Sequence, residues 1–201
     1  IAIEEKIDRR ILRNILFEVL SPSYNVHKNV LSVDNRINTL ATIQQLTPEH
    51  DIYLQNIRGS YPGYISKSAE MLSPDMAVIT PVSGNFPAAY DTKQAYAKDY
   101  ESLAKKTLDA EGIIFVDIDD PLMQKFLSSE NAVTYSKKNN NADYYLRSQN
   151  TADGFVEFTV VRKSDEQEFV QRLPEVYQKS PSYAVAAVAV ADNLKQATSE
   201  K

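Results

Sequence analysis

The chain has 201 residues, 43% of them hydrophobic and 24% charged, which is typical of one globular domain with a buried core. Its net charge of −5 argues against a nucleic-acid-binding protein, which would carry a basic face. The lack of cysteine excludes thiolate chemistry, two histidines are too few for a histidine-rich metal site, and no apolar run reaches the roughly 18 residues of a membrane span. We expect no signal peptide, and a start at Ile1 instead of Met is expected of a trimmed chain or an excised domain.

Over the first 137 residues, short apolar runs typical of strands alternate with amphipathic runs typical of helices. The predicted strands are 1–3, 24–30, 51–57, 75–82, 112–119 and 131–137. The predicted helices are 9–20, 35–46 with Asp34 as N-cap, 62–72, 92–108 and a short one at 121–129. Strands separated by helices of this length predict parallel β-α-β units, and so an α/β fold with a doubly wound, mostly parallel sheet over 1–141.

The segment 142–174 has a different pattern, in which apolar and polar residues alternate between short turns at Asp153-Gly154 and Ser164-Asp165. This pattern predicts a small antiparallel β appendage. Neighbouring residues of a strand point to opposite faces, so only one of Tyr144 and Tyr145 is expected to face the core. An alanine-rich closing helix is predicted at 182–197, and the whole chain, 1–201, is expected to form a single domain.

The order of these segments resembles the central, ATP-binding domain of the Mur ligase family. The resemblance is carried by "ILFEVLSPSYNVHKN", "YPGYISKSAEMLSPDMAVITPV", "GIIFVDIDDP" and "YAVAAVAVADNL", which follow one another in the family's order. It implies a fold like that of the P-loop NTPases. It also implies an activity in which ATP hydrolysis is coupled to amide-bond formation during peptidoglycan precursor synthesis.

The family's phosphate loop, Gly-x-x-Gly-Lys-Thr, is not retained. The resemblance places Glu5 and Asp8 at its glycines, Arg9 at its lysine and Arg10 at its hydroxyl residue. Glycines are needed there because the backbone must approach the phosphate closely, and the hydroxyl is needed as a magnesium ligand. The segment is therefore interpreted as a solvated charged loop in which Asp8 caps the first helix; the alternative is an unusual anion site that uses Lys6, Arg9 and Arg10.

Other catalytic positions of the family are also altered. The acidic residue that helps to hold magnesium is matched by Asn56, and the lysine that becomes carbamylated is matched by Asp99, with Lys98 adjacent and the register uncertain by one residue. Pro81 and Phe86 stand in the loop where the family has an Asn and a His. Lys179-Ser180 stands where a His-Asn pair precedes the last helix.

The turn that survives is Asp117-Ile118-Asp119-Asp120-Pro121, which in the family lies beside the nucleoside, although Asp117 replaces an Asn. Asp117, Asp119 and Asp120 have two interpretations. They form a strand end and a helix cap, or they retain a metal or nucleoside contact.

These observations predict a Mur ligase-like protein that has lost its ATP and magnesium sites, with no catalytic residues, no metal ligands and no cofactor. Such a bacterial, cytoplasmic protein would bind or scaffold in cell-wall precursor synthesis, through a protein partner or self-association. The alternative is an ATP-dependent amide ligase that uses ATP and Mg²⁺ with atypical motifs and without flanking domains. A third possibility is a small-ligand binding module that has reused the cleft at the carboxyl ends of the strands.

Overall fold

A computed structural model describes residues 1–4, 11–29, 36–57, 59–81 and 86–199 of the chain. The segment 5–10 lies outside these described residues. The interpretations of Glu5, Lys6, Asp8, Arg9 and Arg10 therefore stay predictions. The same holds for Asp34, the predicted cap of the second helix.

Nine strands form one sheet in the described parts of the chain, in the order β2-β3-β1-β4-β5-β6-β7-β8-β9. The strands are β1 (Ala2–Glu4), β2 (Val26–Lys28), β3 (Ile52–Ile57), β4 (Met76–Ile79), β5 (Ile113–Asp117), β6 (Ala132–Ser136), β7 (Tyr144–Ala152), β8 (Phe155–Arg162) and β9 (Gln167–Pro174). The pairs from β2 to β6 are all parallel. The predicted doubly wound, mostly parallel sheet is confirmed.

Helices cover both faces of the parallel strands. They are α1 (Ile11–Leu20), α2 (Arg36–Ile43), α3 (Tyr64–Leu72), α4 (Lys93–Asp109) and α5 (Pro181–Ser199). Alternate strand residues supply two cores: Val78 and Phe115 pack with α1 and α5, whereas Ala77 and Ile114 pack with α3 and α4. This division follows from the two-residue period of a strand, and it explains why the central strands are apolar throughout.

The antiparallel segment joins the sheet in a way that its sequence does not indicate. β7 first pairs with β6 in parallel, over Tyr135–Tyr144 and Ser136–Tyr145, before β8 and β9 add antiparallel strands. Parallel strands usually need a long crossover connection. A short connection is enough here, because the paired region is only two residues long and β7 starts beside the end of β6. The predicted appendage is thus a continuation of the main sheet.

Local predictions in the antiparallel segment are confirmed. Asp153 and Gly154 have φ angles of 53° and 76°, as a two-residue hairpin turn requires. Tyr144 is buried and donates a hydrogen bond of 2.6 Å to Asp192 of α5, whereas Tyr145 is half-exposed. Before this segment, the short helix predicted at 121–129 is a 3₁₀ helix over Pro121–Phe126.

Leu16 tests the core between α1 and α5, because its side chain is completely buried there. We expect Leu16→Ala to lower the free energy of unfolding by about 2–5 kcal/mol through lost burial and the cavity left behind. Leu40 on α2 is 50% exposed, so Leu40→Ala is the matched control and should change the value by about 0.5 kcal/mol or less. Urea unfolding of both variants measures the difference, and equal losses would contradict this description of the core.

Candidate functional site

A cleft of about 570 Å³ opens at the carboxyl edge of the sheet, where β5 and β6 end beside the start of α5. Ligands of doubly wound proteins bind at this edge. Ile11, the first residue of α1, also lines the cleft and directly follows the segment 5–10. Its polar lining includes the side chains of Asp117, Asp119, Lys137, Lys138, Lys179 and Ser182.

Asp117, the last residue of β5, joins the sheet to the closing helix. Its Oδ2 accepts a 2.5 Å hydrogen bond from the Ser182 hydroxyl in the first turn of α5, and its Oδ1 accepts a 2.9 Å bond from the Asp119 amide. The side chain is 1% exposed. Burial raises the pKa of Asp117 to about 6, an effect that the hydrogen bonds from Ser182 and Asp119 only partly offset.

Asp119 holds the turn that follows β6. Its Oδ1 accepts a 2.7 Å hydrogen bond from the Ser136 hydroxyl, and its Oδ2 accepts a 3.2 Å bond from the Lys137 amide. The Ser136 oxygen in turn accepts bonds from the amides of Lys138 and Asn139, at 2.9 and 2.7 Å. Asp119 therefore fixes the turn on which Lys137 and Lys138 are mounted.

Asp120 begins the 3₁₀ helix. Its Oδ1 accepts a 3.0 Å hydrogen bond from the amide of Leu122, and its carbonyl accepts a 3.0 Å bond from the amide of Met123. The bonds of the three aspartates agree with the strand-end and cap interpretation. The nucleoside contact stays a prediction.

The rim of the cleft carries more positive than negative charge. Lys137, Lys138 and Lys179 are exposed, whereas Asp117 lies beneath them and is buried. Chemically, this arrangement offers ammonium groups to an anion at the surface. Within the cleft, a proton can be taken up by Asp117.

A buried polar cluster under the same sheet edge was not foreseen in the sequence. The Arg13 guanidinium donates to the backbone carbonyl of Asn29 and, at 3.1 Å, to its side-chain oxygen, which also accepts a 3.3 Å bond from the Asn56 amide. Gln55 donates a 2.6 Å bond to the Asn56 carbonyl. All four residues are at most 5% exposed. The available signal was Gln55-Asn56 inside an otherwise apolar strand.

Asn56, matched to the family's magnesium-binding carboxylate, lies in this cluster at the end of β3. The Asn56 Oδ1 atom has no hydrogen-bond partner among the described residues. β1 pairs beside it, with Ile3 opposite Asn56, so the residue adjoins the strand that leads into the segment 5–10.

Asp99, matched to the family's carbamylated lysine, is held by internal hydrogen bonds. Its Oδ2 accepts bonds from the Gly63 amide at 3.0 Å and from the Tyr90 hydroxyl at 2.5 Å, and the residue is 8% exposed. Gly63 precedes α3 with φ 78°, so Asp99 fixes the turn that leads into this helix. The adjacent Lys98 is exposed.

Neither a metal-binding cluster nor a membrane-spanning helix occurs in the described parts of the chain. No three side chains of His, Asp or Glu lie close enough together there to hold a metal ion. None of the helices described is long and apolar enough to span a membrane.

A doubly wound sheet with helices on both faces and a cleft at its carboxyl edge defines a class of α/β domains. The sequence profile of the Mur ligase middle domain matches residues 9–191 of the chain. The chain therefore belongs to the Mur ligase family, as its segment order predicted. No curated protein sequence matches it.

Solved Mur ligases share the fold at low sequence identity. MurF from Acinetobacter baumannii superposes with a TM-score of 0.77 at 14% identity, covering 96% of this chain and 42% of that one. MurF ligase from Thermotoga maritima, in complex with ADP, gives 0.76 at 16% identity over 96% and 45%. UDP-N-acetylmuramate-alanine ligase MurC from Thermotoga maritima gives 0.63 at 14% over 97% and 41%. The chain thus spans less than half the length of these ligases.

Asp117→Asn tests the cost of the buried carboxylate. Because the folded protein binds this proton more tightly than the unfolded chain, wild-type stability should fall as the pH rises from about 4 to 6 and stay flat above. The fall amounts to about 3 kcal/mol. The amide oxygen can accept the bond from the Asp119 amide and the amide NH2 group can donate to the Ser182 oxygen, without a charge. The variant should therefore lack this fall and be the more stable protein at pH 8.

Urea unfolding of both proteins over this pH range gives the measurement, with Asp91→Asn at an exposed site as control. A constant difference between Asp117→Asn and the wild type at every pH would contradict the raised pKa.

Proposed function

We propose that this domain acts by binding, as a non-catalytic member of the Mur ligase family linked to cell-wall precursor synthesis in the cytoplasm. The proposal requires that the domain has lost the binding of ATP and magnesium. Membership of the family supports the link to cell-wall precursors, since the solved relatives include MurF and MurC.

The observation that carries the proposal is the environment of Asp99. The family resemblance places Asp99 at a lysine whose carbamylated form bridges metals in the family; a register shifted by one residue would place the exposed Lys98 there instead. A carboxylate cannot be carbamylated, and this one is engaged by Gly63 and Tyr90 in holding the start of α3. Its bonds are those of a structural residue.

The remaining matched positions agree with this loss. Asn56 offers a neutral amide where a magnesium carboxylate is expected, and neutral amides are weak ligands for magnesium. Asp117 uses both carboxylate oxygens in bonds to Ser182 and Asp119. Transfer of a phosphoryl group needs metal-bridged charge neutralisation, so altered metal ligands alone would remove most of the rate.

Arg9 and Arg10 enter the proposal on sequence alone. They replace the phosphate-loop lysine and hydroxyl residue, and the glycines are absent. We propose that these arginines form at most a residual contact to a phosphate group, and that Asp117, Asp119 and Asp120 form at most a residual contact to a nucleoside.

The alternative function is an ATP-dependent amide ligase with atypical motifs. The open cleft of about 570 Å³ favours it, because it lies at the carboxyl edge of the sheet and three lysines stand at its rim. On this hypothesis ATP and Mg²⁺ would bind there, and further domains would bind the other substrates.

Nucleotide binding separates the two functions. Isothermal titration of the chain with magnesium-ATP is expected to show no binding at micromolar concentrations, and the mixture with a muropeptide acceptor should release no phosphate. MurF from Thermotoga maritima serves as the positive control, since it has been crystallised with ADP. Micromolar binding or acceptor-dependent hydrolysis would overturn the proposal in favour of the ligase.

A further inference from the structure

Strand β9 leaves an open edge at one end of the sheet. It stands last in the strand order, and β8 is the one described strand that pairs with it. All eight residues pair without a register shift, so no bulge turns the edge away. Val170, at the middle of the strand, is 61% exposed. A regular, accessible edge with a β-branched apolar residue at its centre is suited to pairing with another strand.

The outward groups of this edge follow from the hairpin geometry. The amide of Glu175 donates a 2.9 Å bond to the carbonyl of Gly154, towards β8. Because antiparallel residues alternate in the direction of their backbone bonds, Glu168, Val170 and Arg172 direct both N–H and C=O away from β8. Pro174 lacks an N–H group and ends this open ladder.

We propose that β9 pairs antiparallel with β9 of a second copy of this chain, with the two-fold axis passing between the two Val170 residues. In this register, Glu168 lies opposite Arg172 of the second copy. Bonds between the two backbones replace those that the Gln167 and Gln171 side chains donate to the carbonyls of Glu168 and Arg172, at 2.8 and 3.2 Å. The contact is self-complementary, as a two-fold interface requires. It would join the two sheets into one.

Charge complementarity selects a second copy as the occupant. On the exposed face, Arg147 contacts Glu168, and Arg172 pairs across the strands with Glu157. The proposed register brings these two pairs side by side across the axis. The charges then alternate in the order Arg147, Glu168, Arg172, Glu157, the last two from the second copy, and opposite charges on neighbouring strands stabilise a sheet.

Neighbouring registers lack this fit. A shift of two residues in one direction places Glu168 opposite Pro174, which cannot donate to the ladder. A shift in the other direction brings Glu166 into the ladder, but Glu166 lies in the turn with φ 56°. The register centred on Val170 is therefore the one that uses the whole edge.

A second copy of the chain would be the partner in the binding role proposed above. The biological meaning of this contact rests on that role, whereas the contact itself does not. Its test reads the oligomeric state and involves no nucleotide. The two proposals can therefore fail separately.

The experiment is sedimentation velocity of the chain over a range of concentrations, with two single charge reversals and their mixture. The wild type should form dimers. Arg172→Glu places two glutamates opposite each other at both ends of the contact, and Glu168→Arg does the same with two arginines. Each variant alone should therefore dissociate about tenfold more readily or worse. Mixed in equal amounts, the two variants should form heterodimers, because a glutamate of one variant then faces an arginine of the other at both ends of the contact and the like-charge pairs of each homodimer are relieved.

Lys105→Glu makes the same positive-to-negative change as Arg172→Glu, on an exposed position of α4, and should leave dimerisation unchanged. Circular dichroism confirms that each variant is folded before it is compared. A wild type that stays monomeric at every concentration overturns the proposal. So do single variants that dimerise like the wild type, or a mixture that associates no better than either variant alone.

Discussion

The burial of both faces of a parallel sheet is the constraint on which the rest of the structure depends. The central strands are apolar on both sides, so each face must be covered by helices. One face is covered by α3 and α4, which follow neighbouring strands in the chain. The other needs α5, which arrives only after the antiparallel strands and packs against α1. The alanines of α5, fully buried from Ala184 to Ala189, allow its backbone to approach the sheet closely.

The same helix forms one wall of the cleft, so the core and the candidate site depend on each other. Ser182, in its first turn, is bonded to Asp117 at the end of β5. Asp192, near its other end, accepts bonds from Tyr144 and Arg162. Asp117, a buried acid with a raised pKa, weakens the fold at neutral pH, whereas Asp192 is paired with Arg162. At the start of α5, therefore, the buried carboxylate that lines the cleft lowers the stability of the fold.

The sequence predicted the elements and layers well because periodicity records which faces are buried. It predicted α4 over nearly its full length, with Thr92 as the first residue of the pattern and the observed cap. The parallel start of β7 could not be predicted, since the direction of a two-residue pairing leaves no mark on hydrophobic alternation. The surroundings of the candidate site residues were not predicted. Ser182 lies 65 residues from Asp117, and nothing local indicates that their side chains meet.

The polar cluster below the cleft shows a second limit of such reasoning. Arg13 lies beside Leu12 on α1, and its sequence position is typical of a residue at the solvent-exposed border of an amphipathic helix. Its burial depends on Asn29 from the chain that follows β2, which supplies acceptors for the guanidinium. Buried polar groups are stable only with such partners, and long-range partners are not visible in one sequence.

The packing of α1 on α5 also bears on the order of folding. α1 ends at Leu20 and α5 begins at Pro181, so a contact between them closes a loop of most of the chain. The hairpins of β7, β8 and β9 are local and close quickly, whereas this long-range contact has a large entropic cost before any burial is gained. During synthesis on the ribosome, the apolar face of α1 has to wait for α5 to emerge. The nascent chain is therefore expected to expose this face to chaperones until nearly the whole domain has been made.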